Sequence, residues 1–336
     1  MRDTFLDFDS VHSDKAFESQ ALKLFAYQFE NNTTYRSYCD LINVQDSDVE
    51  RVTDIPFLPI QFFKTHNLNS FDSDPAIIFR SSKTTGQTAS QHPVHNLDLY
   101  IKSFEKGFAH FYGNIEDYVL LALLPSYLER EDSSLVFMVD HLIKKTKRTD
   151  SGFYLIDWEG LRTKFDWEAL RTKLNALENK GQKTILLGVS FALLDGAENF
   201  HWDLKNTLLM ETGGMKGMRK EWVRSALHRK LRDSYGVNQI HSEYGMTELL
   251  SQAYSKADGI FETPPWMRVY ARSVEDPFEL LHNNKTGALN IIDLANVDSC
   301  AFIATQDLGK VHSDQRFEVL GRFDHAEIRG CNLMVL

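Results

Sequence analysis

From Tyr118 to Tyr244 the chain alternates between short apolar runs and amphipathic ones, with a regularity that leaves few choices of fold. YVLLALLP reads as a buried strand, SSLVFMVDHLIKK as a helix and GFYLIDW as a strand; ALRTKLNALENKG reads as a helix closed by Gly181. KTILLGVS and NTLLMETGG continue as strands, KEWVRSALHRKLRDSYG is a basic helix ended by Gly236, and NQIHSEY is a last buried strand. Strands that are apolar throughout and separated by helices need cover on both faces. The pattern therefore predicts an α/β fold of mostly parallel sheets flanked by helices. With 336 residues, 43% of them hydrophobic, the chain can bury one large core or two modest ones.

The flanks have a different texture. Residues 1–70 read as a helical segment packed on the core: FESQALKLFAYQFENN puts Phe17, Leu22, Leu24 and Phe25 near one face before Asn31 and Asn32 end it. DIPFLPIQFFK, aromatic and bounded by proline, suits either a packed lid or the wall of an apolar pocket. Residues 71–258 form the α/β unit. Over 259–336, PPWMRVYARS, TGALNIIDL, AFIATQDLG and FEVLGRFD are short β-rich runs, predicting a smaller β subdomain and a C-terminal tail within one compact unit. A near-duplication, DWEGLRTKF from Asp157 and DWEALRTKL from Asp166, gives two copies only, too few for a repeat architecture.

Three stretches could carry chemistry. In HSEYGMTEL, from His241 to Leu249, the strand ends at Tyr244–Gly245, and TELLSQAY is expected to start a helix with Thr247 at its N-terminus. Such a terminus offers free N–H groups and a positive dipole end to a phosphate, while Glu248 could hold a magnesium ion. By local pattern alone, an ordinary strand–turn–helix junction with a capping threonine is the commoner meaning. FRSSKTTGQTAS is a hydroxyl-rich loop around Gly86 with Lys83 as its charge, able to wrap phosphate oxygens or to be simply a loop. METGGMKG supplies a glycine turn at Gly213 and Gly214 where backbone can approach a flat ligand. Asp307 and Arg322 are expected at turns beside β-rich runs, as a ribose acceptor and donor or as exposed turn charges.

Other classes are disfavoured. A net charge of −10 argues against gripping a nucleic-acid backbone, and the basic run KKTKR at Lys144–Arg148 adjoins a predicted helix end. Cys39, Cys300 and Cys331 form no CxxC pair, which points to a reduced, cytoplasmic setting rather than disulfides or a thiolate metal site. No run reaches the roughly 18 apolar residues of a membrane helix. His92 and His95 lack a third ligand nearby, and neither GxxxxGK[ST] nor GxSxG occurs.

Four segments taken in order, SSKTTGQT, TGGMKG, YGMTE, and TQDLG leading to GRFDHAEIRG, resemble the adenylate-forming superfamily. Within it, PPWMRVYAR, AFIATQDLG and the terminal RGCNLMVL are most similar to the acyl-protein synthetases, which activate fatty acids for the reductase of bacterial luminescence systems. The likeness covers about residues 50–336 and is densest after Met210. It implies the fold of that superfamily's N-terminal domain, with ATP and Mg²⁺ as cofactors. By the same resemblance Ser81, Ser82, Thr84, Thr85 and Gly86 would fold over the pyrophosphate end of ATP, and Gly213 and Gly214 would face the adenine. Tyr244, followed by Gly245, would stack near the base. Thr247 would contact the α-phosphate, Glu248 would hold the metal, and Asp307 and Arg322 would bind the ribose. Lys83 stands where the common loop has glycine. Only twelve residues follow Asp324, where most members continue into a mobile lid of about a hundred residues carrying a catalytic lysine. The expectation is therefore either adenylation without that lid, helped by Lys83 or a partner, or loss of the first half-reaction. Cys331 matches the near-terminal cysteine that carries the acyl group in the resembled synthetases. The implied activity is formation of an acyl-adenylate from a fatty acid, with transfer to Cys331 and then to an acyl-accepting reductase or carrier protein. A compact acyl- or aryl-CoA ligase and a non-catalytic nucleotide-binding subunit of a reductase complex are the alternatives.

Overall fold

A computed structural model describes residues 6–71, 73–81, 88–124, 131–159, 162–214 and 222–323, with the backbone alone over 155–159 and 162–164. The chain opens with α1 (Asp14–Asn31) and α2 (Thr33–Leu41). The Ser13 hydroxyl accepts from the Ala16 N–H to start α1, and Asn32 ends it while its side chain accepts from the Tyr35 N–H to start α2. Phe17, Leu24 and Phe25 are buried and Leu22 is half-buried. The proline-bounded aromatic segment turns out to be core. Its strand β1 (Leu58–Pro59) joins the main sheet, and Leu58 and Phe63, the latter on α3 (Phe62–Thr65), are buried.

A hairpin of β2 (Ile77–Arg80) and β3 (Gln91–Val94) follows, then α4 (Leu97–Tyr112), and then the alternating series begins. It comprises β4 (Val119–Leu123), α5 (Ser134–Lys145), β5 (Gly152–Phe153), a side hairpin of β6 (Leu155–Glu159) and β7 (Arg162–Phe165), α6 (Trp167–Asn179), β8 (Thr184–Val189), α7 (Ser190–Asn199), β9 (Thr207–Thr212), α8 (Arg224–Tyr235) and β10 (Ile240–Tyr244). GFYLIDW is thus two strands, β5 in the main sheet and β6 in its own hairpin. The basic run at Lys144–Arg148 is spent on local pairs, with Lys144 on Asp140, Lys145 on Glu105 and Lys147 on Glu116.

The two DWE copies take different structures. DWEGLRTKF lies across the β6–β7 hairpin, whereas DWEALRTKL enters α6 with the Asp166 side chain accepting from the Ala169 N–H. The second copy has alanine where the first has glycine, and it places Leu170 and Leu174 inward. Propensity and burial both favour helix in that copy.

Beyond β10 come β11 (Ala253–Ser255), β12 (Ile260–Glu262), β13 (Met267–Arg272), β14 (Thr286–Asp293), β15 (Phe302–Val311) and β16 (Phe317–Arg322). They extend the same sheet. Its order is β13-β14-β15-β16-β12-β11-β10-β9-β8-β4-β5, with β1 on β15, making twelve strands. Pairing is parallel from β10 to β5 and antiparallel from β10 to β13, so β10 is where the two modes meet.

Candidate active site

Ligands in α/β sheets settle at the carboxyl ends of the parallel strands. There β8 leads into Ser190, β9 into Gly213–Gly214, and β10 into Tyr244–Glu248. The buried Tyr244 hydroxyl donates to Asp307 Oδ2 at 2.7 Å, and Arg322 Nε lies 3.3 Å from Asp307 Oδ1. Asp307 and Arg322 are not at turns. They face each other across paired strands β15 and β16, which fixes their spacing by sheet register. The Arg322 side chain is 74% exposed, so most of its donors point to solvent beside a largely buried carboxylate. Burial, followed by the Asp307 charge, pushes the Tyr244 phenol well above its ordinary range, so it remains a donor. Behind this chain the buried Arg272 guanidinium donates to the Thr305 and Leu289 carbonyls, and the Thr305 hydroxyl accepts from the Asp307 N–H.

The expected helix at TELLSQAY does not form. Thr247 and Glu248 sit in a turn, and Ala253 is already in β11, antiparallel to β10. The physical reason is Asp293, buried at the end of β14. Its Oδ2 accepts from the backbone N–H groups of Leu250 and Ser251 at 2.8 and 2.9 Å, and its Oδ1 from the Ser251 hydroxyl at 2.6 Å. Donors that a helix would use, or offer to an anion, are thereby taken. The Trp266 indole of the PPW sequence braces the same hydroxyl at 3.0 Å. On the other side, His92 Nδ1 donates to the Thr247 carbonyl at 2.7 Å, and Asn296 Nδ2 donates to the Glu248 carbonyl at 2.8 Å. His92 Nε2 lies 2.8 Å from Ser299 Oγ. Gln28 of α1 donates to the Asn296 and Val297 carbonyls, tying the N-terminal helix to this support.

Sequence reasoning missed Asp293, Asn296, Ser299 and the part played by His92. The available signal was a carboxylate and two amides, Asn290, Asp293 and Asn296, inside the apolar run LNIIDLAN, where buried polar groups need named partners.

Gly245 is needed for space. A Cβ there would stand 2.6 Å from Glu243 Oε1, a carboxylate held by the Thr212 hydroxyl. Gly213 is needed for conformation, with φ +63°. Ser190 Oγ lies 2.6 Å from Glu211 Oε2 and 3.0 Å from the Gly213 carbonyl; Ser242 and His228 hold Glu211 Oε1 at 2.9 and 3.2 Å. Burial pushes the Glu211 carboxyl up, but the His228 hydrogen bond, the Arg224 charge and the Ser190 hydroxyl prevail and hold it low. Both glycines of the turn are exposed at the crevice.

Glu248 is a further buried carboxyl of the site. Burial raises its pKa against the pull of the Ser90 hydroxyl, the backbone and the more distant Arg322 and Lys64. Ser90 also closes the base of the hydroxyl-rich loop: its N–H donates to Ser81 Oγ at 2.9 Å, and the Ser81 N–H donates to the Ser90 carbonyl. Loop base and motif carboxylate therefore meet at one residue. Ser82, Lys83, Thr84, Thr85 and Gly86 lie outside the described residues, as does Cys331. A buried carboxylate without a full ion-pair partner is a fitting donor for a divalent cation, because the cation would offset the cost of its burial.

This architecture defines the class: an α/β protein built on one continuous mixed sheet, a fold that solved structures share. ATP-bound MatB from Rhodopseudomonas palustris superposes with a TM-score of 0.54 at 17% identity, over 75% of this chain and 49% of its own, so the chain spans about half the length of that enzyme. 2-Hydroxyisobutyryl-CoA ligase, in complex with 2-HIB-AMP and CoA, gives a TM-score of 0.64 at 12% identity over 94% of this chain and 70% of its own. Within the class, the chain belongs to the acyl-protein synthetase LuxE family, whose model matches residues 4–336. The long-chain-fatty-acid–luciferin-component ligase of Vibrio harveyi is 22% identical over 349 residues, 96% of this chain and 88% of that protein. No helix among the described residues is long and apolar enough to cross a membrane.

Proposed function

We propose that the protein activates a fatty acid with ATP and passes the acyl group through Cys331 to a partner protein. The carrying observation is that Tyr244, Asp307, Arg322 and Glu248 converge at the carboxyl ends of β9 and β10. In this reading Asp307 and Arg322 take the ribose hydroxyls, Tyr244 and the open Gly213–Gly214 turn flank the base, and Thr247 with the 81–88 loop meets the phosphates. Mg²⁺ at Glu248 would supply charge neutralisation for the phosphates. A substrate carboxylate oxygen attacks the α-phosphorus, the bond to pyrophosphate breaks, and an acyl-adenylate remains. The Cys331 thiolate then attacks the acyl carbon and AMP leaves.

The other two thiols support that assignment by elimination. Cys39 and Cys300 are buried, and burial pushes both up to about 12, far from a nucleophile's range. An acceptor distinct from the fatty acid is supported by the Vibrio harveyi relative, a ligase that joins a long-chain fatty acid and a luciferin component.

The test is incubation with ATP, Mg²⁺ and labelled carboxylic acids, followed by intact-protein and peptide mass analysis with and without hydroxylamine. A hydroxylamine-labile acyl group on Cys331, absent from Cys331→Ser, is expected. Glu248→Gln should slow carboxylate-dependent pyrophosphate release by roughly 100-fold, the scale of losing one preorganised charge contact. An unchanged rate would sink the mechanism. Thioester formed on added CoA with no protein adduct would identify a CoA ligase, and neither product would identify a non-catalytic subunit.

A further inference from the structure

A groove of about 480 Å³, none of whose lining residues is assigned to the proposed nucleotide site, lies between the segment that follows α2 and the β13–β14 connection. Its walls are apolar, from Ile42, Val44 and Phe57 on one side and Pro277, Phe278 and Leu280 on the other. Phe278 is 61% exposed, and Leu41, next to the wall residue Ile42, is 81% exposed. The exposed Phe278 wall opens the groove to its surroundings, which suits a macromolecule better than a ligand enclosed within it.

Asn290 also lines the groove. It is 1% exposed, and its Nδ2 has no hydrogen-bond partner among the described residues. The amide orientation is fixed, because Arg272 Nη1 donates to Asn290 Oδ1 at 3.0 Å, leaving the NH₂ as the unused group. A buried donor without a partner is costly, and this one is closed to solvent in the free protein, so an occupant that parts the wall and brings an acceptor is rewarded.

Charge selects among occupants. Segments 40–54 and 275–279 carry eight Asp and Glu residues against one arginine, Arg51, itself paired with Asp54 at 3.2 Å. With Asp54 in the wall and the other carboxylates on the segments that supply it, the surroundings repel phosphates and fatty carboxylates and attract lysine and arginine.

We propose that this groove docks a partner protein through an apolar segment flanked by basic residues, with a backbone carbonyl of that segment accepting the Asn290 Nδ2–H. The inference does not rest on the acyl-transfer reading, since docking is measured without ATP or acid. The experiment is fluorescence anisotropy of the full chain with labelled synthetic peptides of leucine, phenylalanine and lysine, and with a second set carrying glutamate in place of lysine. The lysine set should bind in a salt-sensitive way. Affinity should fall by about tenfold in Phe278→Ala, as for loss of one aromatic anchor, and likewise in Asn290→Asp, which keeps an acceptor for Arg272 but removes the donor. Phe278→Ala should leave pyrophosphate release and thermal unfolding unchanged. Equal binding of the glutamate set, or indifference to both substitutions, would overturn the proposal. Displacement of the peptide by dodecanol would overturn it in favour of a small apolar ligand, and displacement by a peptide of residues 325–336 in favour of the chain's own tail.

Discussion

At the scale of single residues, the site works against stability at one position and depends on buried neutrality at others. The pKa of Glu248 is raised by burial, so its ionisation costs stability once the pH exceeds the unfolded value of 4.5, progressively up to the folded value. Glu248→Gln should therefore unfold at higher urea than the parent at pH 7, by about 1 kcal/mol, while losing activity; a destabilised glutamine variant would refute this account. His92 shifts the opposite way. Burial pushes its pKa from 6.5 to about 4, against the hydrogen bonds to Thr247 and Asn296. Its folded state binds fewer protons than the unfolded chain, so its contribution is complete above pH 6.5 and is lost as pH falls toward 4, at up to about 1.36 kcal/mol per unit. His241, pushed to about 4 by burial and Lys256, adds to the same slope. Urea titrations at pH 7 and pH 5 should show a smaller drop for His92→Asn than for the parent.

At the scale of elements, local sequence and final structure agree wherever burial and propensity point the same way. VLLAL of β4 and TILLGV of β8 are fully buried strands, as their unbroken apolar character requires. The basic helix stops at Gly236, and Gly213–Gly214 is an open turn. TELLSQAY was not legible because the group that denies it a helix, Asp293, lies over forty residues further on and acts through backbone donors. The position of Asp307 and Arg322 within paired strands depends on register, which neither run specifies alone. In the DWE pair the sequence difference is visible, but its meaning depends on which copy has a core to cover. Ala169→Gly, on the exposed side of α6, should cost about 1 kcal/mol in a urea titration and leave helical circular dichroism intact, since Leu170, Leu174 and Leu177 still hold the helix to the core. Loss of the helical signal would mean that the alanine alone decides between the two folds.

At the scale of the whole molecule, the sequence changes texture from a helical start through an α/β middle to a β-rich end, each with its own period. That middle and end share one sheet was not readable, because the joint is a three-residue strand, β11, hidden in a segment with helical spacing. The support behind Thr247 and Glu248 draws on α1, β3, β14 and the loop after it, elements far apart in the chain. Such wiring leaves the turn little freedom to open by itself. Amide exchange should therefore sort the site into two populations: the N–H groups of Leu250, Ser251 and β10 should exchange only with global unfolding, while the exposed Gly213 and Gly214 exchange early. Early exchange at Leu250 would show a local opening. The continuous sheet has a mechanical consequence as well. Asp307, Arg322 and the Tyr244–Glu248 turn are mounted on one stiff plate, so neither half can swing toward the other as hinged halves would, whereas the 81–88 loop stands on the separate β2–β3 hairpin. Any closing over a bound nucleotide must come from what is carried above the plate.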